Sequence, residues 1–439
     1  MNNRKLIFLE LNELNFDIAK EYIFSENLNN LKKIISGNFI ETSSESDYTL
    51  LEPWIQWVTI HTGLRANEHK VFRLGDVVDQ DIPQIFEQVE NKGYAVGAIM
   101  PMNTKNNLKK SKYFIPDAWT QTKTDGNFWS NILHKHISKI VNNNAKQKFT
   151  LSSLFFFLIC FLRFARFSNY LHYINFFFKG IRFKYNLAIF LDLFIHDVHL
   201  SLIKKFRVNF STIFFNASAH IQHHFLFNSR DKNDKSQKNP DWYIPRNLDP
   251  FLEILKLYDK IIGDYLNIKE YSLIIATGIS QKKYDRIKFY YRLSNHREFL
   301  NKIGIKYKDV FPRMTRDFLI TFDNDQDVEV AKNVLSSIKS TNEEVIFTEI
   351  EKKGLNLFVV LGYPNEIKKG FFIKQNEKKY DFYEDVAFVA LKNGMHSSKG
   401  FFYLDNTFEK KDYGLNPNIR IIHEIILNFF NYNYLKSRN

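Results

Sequence analysis

Apolar runs of strand length alternate with stretches of helical periodicity along much of this chain, and the runs finish on polar residues. "KLIFLEL" (5–11) is the first such run. Helical periodicity follows over 15–36. "GNFIETSSESDYT" then reads as extended and polar. "EPWIQWVTIHTGL" reads as a helix with Pro53 at its first position and Glu52 near its N-cap. A helix over 81–93 ends at a glycine and leads into the strand "YAVGAIMP". Further on, the helical stretch 247–267 separates the runs "FSTIFFN" (210–216) and "YSLIIAT" (271–277). This β-α-β alternation predicts an α/β fold with a doubly wound, mostly parallel sheet.

Two stretches interrupt the pattern. Residues 105–205 are rich in aromatic residues and read as a helical insertion or cap. Their strictly apolar part, Leu154–Leu162, is nine residues long, against the twenty or so that a membrane span needs. Arg163 and Arg166 then interrupt it. The mixture of aromatic and basic residues also fits a helix lying on a membrane surface, so 150–200 is an expected membrane contact. Residues 314–362 read as strand, helix, strand, strand, a small α+β subdomain. The core is then expected in three pieces, 1–104, 206–313 and 363–439.

Composition narrows the class. A hydrophobic content of 44% supports a packed core and excludes a disordered chain. Lys and Arg number 61 against 48 Asp and Glu, a net charge of +13. The lysines are scattered, and no zinc-finger, RRM or basic-zipper pattern accompanies them. A basic solvated surface is therefore expected rather than nucleic acid, and the charge is compatible with an anionic substrate. The single Cys160 excludes an internal disulfide and a cysteine zinc cluster. The N-terminal apolar run is broken at Glu10, which makes a poor secretory signal. A cytoplasmic protein is expected, peripheral to the inner membrane face if 150–200 makes the contact.

In an open parallel sheet, ligands bind beyond the carboxyl ends of the strands. The polar residues that follow apolar runs here are Glu10 and Asn12, Glu52, Asn216 and His220, Thr277 and Gly278, and His396. All of them are expected on one edge. "FFNASAHIQHH" (214–224) adds His223 and His224. The stretch 192–199, with Asp192 and His196 one turn apart, is expected to pack on the surface or in the cap.

Three strings then stand out in order, "HTGLRANEH" (61–69), "NASAH" (216–220) and "GMHSSKG" (394–400). They resemble the T-G-L-x-P-x-x-H, D-x-x-x-H and G-x-H-x-x-x-G strings of the alkaline phosphatase superfamily, in its type I phosphodiesterase and nucleotide pyrophosphatase branch. The resemblance covers about 1–100, 205–285 and 385–435. It implies an alkaline-phosphatase-like fold, a two-zinc centre at the carboxyl edge and a phosphate ester or phosphodiester substrate. In the first zinc site it places Asn216, His220 and His396, with Asn216 standing for an aspartate. His223 or His224 is a further candidate there.

The second site is degenerate. Asn12 stands where an aspartate is expected, with Glu10 and Glu13 as neighbouring carboxylates. Thr277 and Gly278 replace an Asp-His pair, and the nucleophile position falls on Pro53. Glu52, one residue earlier, would occupy a helix N-terminus that otherwise welcomes phosphate. It is the candidate general base or ligand. His69 matches a structural histidine.

The expectation is thus one divalent metal, zinc or manganese, with His220, His396, Asn216, Asn12 and Glu10 as its candidate ligands and Glu52 as the catalytic residue. The substrate would be an anionic phosphorylated small molecule or a lipid-linked one, as in surface-polysaccharide metabolism. The alternative is a catalytically inactive relative that serves as a binding or membrane-associated assembly module.

Overall fold

A computed structural model of the chain describes residues 4–142, 151–230, 237–313 and 316–431. Residues 143–150 of the expected insertion, Met314 and Thr315 of the expected subdomain, and 432–439 lie outside the described residues. Two compact units divide the chain. Met1–Lys283 with Gly394–Asn439 forms one, and Tyr284–Asn393 forms the other.

The larger unit is built on a seven-stranded sheet. Its strands are β1 (Leu6–Leu11), β2 (Asn38–Ser43), β3 (Val96–Ile99), β4 (Tyr113–Ile115), β5 (Phe210–Phe215), β6 (Ser272–Ala276) and β7 (Lys399–Leu404). Their spatial order is β2-β7-β6-β1-β5-β3-β4. β1 pairs in parallel with both β5 and β6, and β3 pairs in parallel with β5 and β4. Only β7 runs antiparallel to its neighbours β6 and β2. The sheet is therefore mixed but mostly parallel, as the β-α-β alternation predicts. β1, β5 and β6 are buried along their whole length, which is why they read as continuous apolar runs rather than alternating ones.

Because β7 is reversed, its beginning lies at the carboxyl edge of its neighbours. His396, three residues before β7, thereby reaches the same edge as the residues that follow β1, β5 and β6.

The helices that bear on this edge and on the insertion are α1 (Pro53–Thr62), α2 (Leu151–Phe164), α3 (Tyr170–Arg182), α4 (Tyr185–Phe206), α5 (Ala217–Phe225) and α6 (Pro250–Leu266). α4 is long and apolar enough to cross a membrane by length and composition, but 67% of its apolar window is buried in this chain. Its buried Asp197 and His199 are bonded inside the core. Asp197 accepts from the backbone N–H of Arg166 at 2.7 Å and from the Tyr173 hydroxyl at 2.8 Å. His199 lies between the Tyr265 and Ser211 hydroxyls, at 2.6 Å from each. This corrects the surface or cap packing expected for 192–199: the segment is an internal helix. Cys160 on α2 is buried, and burial pushes its thiol up to about 11, which leaves it inert.

The smaller unit holds an antiparallel four-stranded sheet in the order Phe347–Lys353, Asn356–Leu361, Asp317–Thr321, Asp309–Pro312. Helix Asp325–Ser337 buries Val328, Ala331 and Leu335 in the unit's own core with Phe318 and Ile320. The strand, helix, strand, strand reading of 314–362 falls within this unit, which runs further in both directions.

Candidate functional site

Strand and helix periods meet along β1 and α1. Glu10 and Asn12 are two residues apart on one face of the strand. Trp57 and His61 are four apart on one face of the helix. The Trp57 indole N–H donates to Asn12 Oδ1 at 2.8 Å. His61 Nε2 lies 3.3 Å from Glu10 Oε1, which also accepts from the Thr212 hydroxyl on β5. Glu10 and His61 are both fully buried. Glu10, expected among the metal ligands, is a core residue walled in by β5 and α1.

An indole nitrogen can only donate, so Trp57 fixes the orientation of the Asn12 amide. Asn12 Nδ2 must then point away, and it donates to Asn216 Oδ1 at 2.8 Å and to Glu13 Oε1 at 3.2 Å. The amides of Asn12 and Asn216 are thus bonded to each other. The side-chain carbonyl of Asn12, the one amide atom able to bind a cation, already accepts from Trp57. An aspartate at 12 would set a carboxylate oxygen about 3 Å from the Glu13 carboxylate, a repulsive contact.

The chain leaves the sheet at Glu13 in the left-handed region, with φ of 59°. A non-glycine residue adopts this conformation at a cost, and such residues cluster at functional sites. Glu13 is 2% exposed. Its Oε2 lies 3.2 Å from His223 Nε2 and 3.3 Å from His396 Nε2, and it accepts from Gln281 Nε2. On the far side of the same ring, His396 Nδ1 is 3.6 Å from Glu52 Oε2. Burial alone would raise the Glu13 pKa. The imidazoles of His396 and His223 outweigh burial and hold it well below the usual carboxylate range.

Neighbouring contacts hold these groups in place. Ser218 and Gln222, one turn apart on α5, bond to the backbone that follows β1. The Ser218 hydroxyl donates to Asn12 O at 2.7 Å, and Gln222 Nε2 donates to Glu13 O at 2.9 Å. That seats His223 beside Glu13. The glycines of 394–400 permit close approach. A Cβ on Gly394 would lie 1.9 Å from Gln281 Oε1, and one on Gly400 would lie 2.0 Å from Gly278 O.

Glu52 is the N-cap of α1 and makes no side-chain cap bond, with Pro53 directly after it. The other helix start at this edge is already neutralised. Asp192 on α4 accepts from the backbone N–H groups of Asn216 and Ala217 and from the Tyr258 hydroxyl. Burial pushes Asp192 up to about 7 against those bonds.

Three ligand-capable atoms, on Glu13, His223 and His396, lie within 4.8 Å of one another. They suit a single divalent cation, since neutral imidazole and carboxylate are zinc and manganese ligands. The two imidazole Nε2 atoms face the same Glu13 carboxylate oxygen at 3.2 and 3.3 Å, so a cation in place of ring protons would find all three atoms as ligands. A second cation does not fit. Asn12 presents an N–H toward Asn216, Thr277 uses its hydroxyl to accept from the backbone of Phe401, and Gly278 has no side chain.

Of the residues expected from sequence, His396, Glu52, Asn12 and Asn216 meet at this edge. His220 is not among the three convergent groups. Its ring packs against His224 and Phe225, and burial, then the neighbouring His223, push its pKa down to about 4. Glu13, His223 and Gln281 are the residues that sequence reading passed over or held as secondary. Glu13 looked like a neighbour of the expected position, and only its left-handed backbone turns it into the site. His69 is structural as expected, bonded to the Thr59 hydroxyl and the Val71 N–H.

No family model matches the sequence, and no curated protein matches it. Similar solved structures include the phosphonoacetate hydrolase of Sinorhizobium meliloti 1021 in complex with phosphonoformate. Its TM-score is 0.42 at 9% identity, over 98% of this chain and 96% of that one. Murine ectonucleotide pyrophosphatase/phosphodiesterase 5 with AMP has a TM-score of 0.41 at 11% identity, over 97% and 95%. Alkaline phosphatase from the Antarctic bacterium TAB5 has 0.39 at 10%, over 97% and 98%. At this degree of likeness, the fold is established by the sheet order of the chain itself.

Proposed function

We propose that the chain is an atypical phosphoesterase or phosphoryl transferase that works with one divalent cation, zinc or manganese, at Glu13, His223 and His396. The convergence of these three at the carboxyl edge of the sheet carries the reading. A cation held there supplies Lewis-acid polarisation of a phosphoryl oxygen.

The rest is done by side chains. Trp57 locks Asn12, and Asn12 and Gln281 hold the Glu13 carboxylate from two sides. Glu52 Oε2 lies 3.6 Å from His396 Nδ1, on the side of the ring away from Glu13, where a carboxylate favours a proton on Nδ1 and leaves Nε2 for a cation. Its side chain is 31% exposed, so it is also the carboxylate placed to accept a proton from an attacking water or alcohol. Pro53, at the family's nucleophile position, offers no hydroxyl, so the reading requires direct attack rather than a covalent enzyme intermediate. An anionic phosphorylated small molecule or a lipid-linked sugar phosphate is the proposed substrate class, and the cytoplasmic face of a membrane the proposed location.

The bonded Asn12–Asn216 pair favours a second reading, in which the edge binds a ligand without chemistry. One experiment separates the two. Purified full-length protein is assayed for bound metal and for cleavage of an aryl phosphodiester with zinc or manganese. The first reading expects a bound cation, turnover, loss of both in Glu13→Gln, and loss of turnover alone in Glu52→Gln. A cation bound without turnover of any phosphoester supports the second. Wild-type metal content and rate in Glu13→Gln would falsify the first.

A further inference from the structure

α3 has two apolar faces. Tyr173, Phe176 and Gly180 point inward, and Gly180 lies so close to α4 that a Cβ would sit 2.5 Å from Leu187 Cδ2. This face fixes the helix to the protein. Leu171, Ile174, Phe178 and Ile181 recur at three- and four-residue spacing on the opposite side, and all four are exposed among the described residues. Leu171 is 81% exposed, Ile181 71%, and Phe167, just before the helix, 86%. Monomeric soluble proteins rarely present a contiguous apolar stripe of this kind.

The charge around the stripe is one-sided. Between Leu151 and Leu191 the sequence contains no Asp or Glu, and it carries Arg163, Arg166, Lys179, Arg182 and Lys184. Arg166 is paired with Asp264, and Lys179 with Glu253. Among the described residues, Arg163, Arg182 and Lys184 have no carboxylate partner. Arg163 and Arg182 lie over the rings of Phe164 and Phe183.

We infer that this outer face of α3, with Phe167, docks on the surface of an anionic lipid bilayer. An apolar stripe flanked by Arg and Lys, on a segment without acidic residues, is the pattern of a helix lying in the interface plane. Thirteen residues make a helix of about 20 Å, too short to span, so the helix lies along the surface. A second copy of the chain is the poorer occupant. A two-fold contact through this face would set two acid-free basic segments against each other.

The test is co-sedimentation of the full-length protein with phosphatidylcholine vesicles and with vesicles that also contain phosphatidylglycerol. Binding to the mixed vesicles alone is expected, weakened by salt. Leu171→Ser/Phe178→Ser should lower it at least tenfold, and Arg182→Glu/Lys184→Glu should lower it and flatten its salt dependence. The serine variant removes only exposed side chains, so its melting temperature should match the wild type. Failure of the wild type to bind either vesicle overturns the proposal, as does wild-type binding by the serine variant. A dimer in sedimentation velocity that the serine variant dissociates, without vesicle binding, assigns the face to self-association and also overturns it. None of these outcomes depends on a cation at Glu13 or on turnover.

Discussion

Two carboxylate–histidine clusters arise from one short run, "LELNE" (9–13), and they differ in kind. Glu10 with His61 is fully buried, with Thr212 and Thr104 closing the set. Glu13 with His223 and His396 is just as desolvated at the carboxylate, but the His223 side chain is 30% exposed and that of Glu52 is 31% exposed. Composition is nearly the same in both. What differs is whether a ring reaches solvent, and that difference arises within three residues of chain. Glu10 is still in the sheet, whereas Glu13 has turned out of it at a positive φ.

This comparison can be broken directly. The largest effect is expected at Glu10. Glu10→Ala leaves His61 and Thr212 without their partner in the core and should cost about 3–5 kcal/mol of stability, read by denaturant unfolding. Metal binding by the folded variant should be unchanged, and a loss of metal without a loss of stability would reverse the assignment. At Glu13 the expectation is opposite. Glu13→Gln keeps the shape and should weaken cation binding by about a hundredfold, measured calorimetrically, with a smaller effect on folding. A smaller contrast separates the histidines of α5. His223→Ala should lower cation affinity about tenfold, and His220→Ala should leave it alone. Equal effects from the two would erase the distinction drawn from their positions.

His69 supplies a separate test away from this edge, as a buried histidine bonded to the Thr59 hydroxyl and the Val71 N–H. Burial, against the pull of Glu68, pushes it down to about 4. The unfolded chain therefore takes up this proton first. The stability contribution is complete above the ordinary histidine pKa of 6.5 and is lost as the pH falls toward 4. The cost is on the order of 3 kcal/mol. His69→Gln should lose less melting temperature than the wild type between neutral pH and pH 4, and identical slopes would contradict the assignment.

Much of the fold was legible because it is periodic. β1, β5 and β6 are continuous apolar runs because both faces of the sheet are covered. Glu52 and Pro53 mark the start of α1 as a cap and first-turn pair should. The strand, helix, strand, strand order of the smaller unit could be read the same way. The inward helix α4 could not. Its Asp and His residues look like surface residues in sequence, and only partners from remote segments, such as Tyr265 and Ser211 for His199, make them internal.

The site divides along the same line. His396 and Glu52 could be found, because each follows a recognisable run and sits at a definite place in the chain order. Glu13 and His223 could not be ranked above Glu10 and His220. Sequence spacing places both members of each pair within one turn of each other, and side-chain direction decides between them.

The sequence by itself determined the α/β alternation and the polar ends of the strands, because these depend on residue type and period. The tertiary structure alone decided which carboxylate meets which histidines. That choice rests on a left-handed turn at Glu13, on the reversed strand that brings His396 to the edge, and on a donor-only indole that commits the Asn12 amide. The last two are contacts between segments far apart in the chain, and the turn is a backbone conformation that no residue pattern here announces.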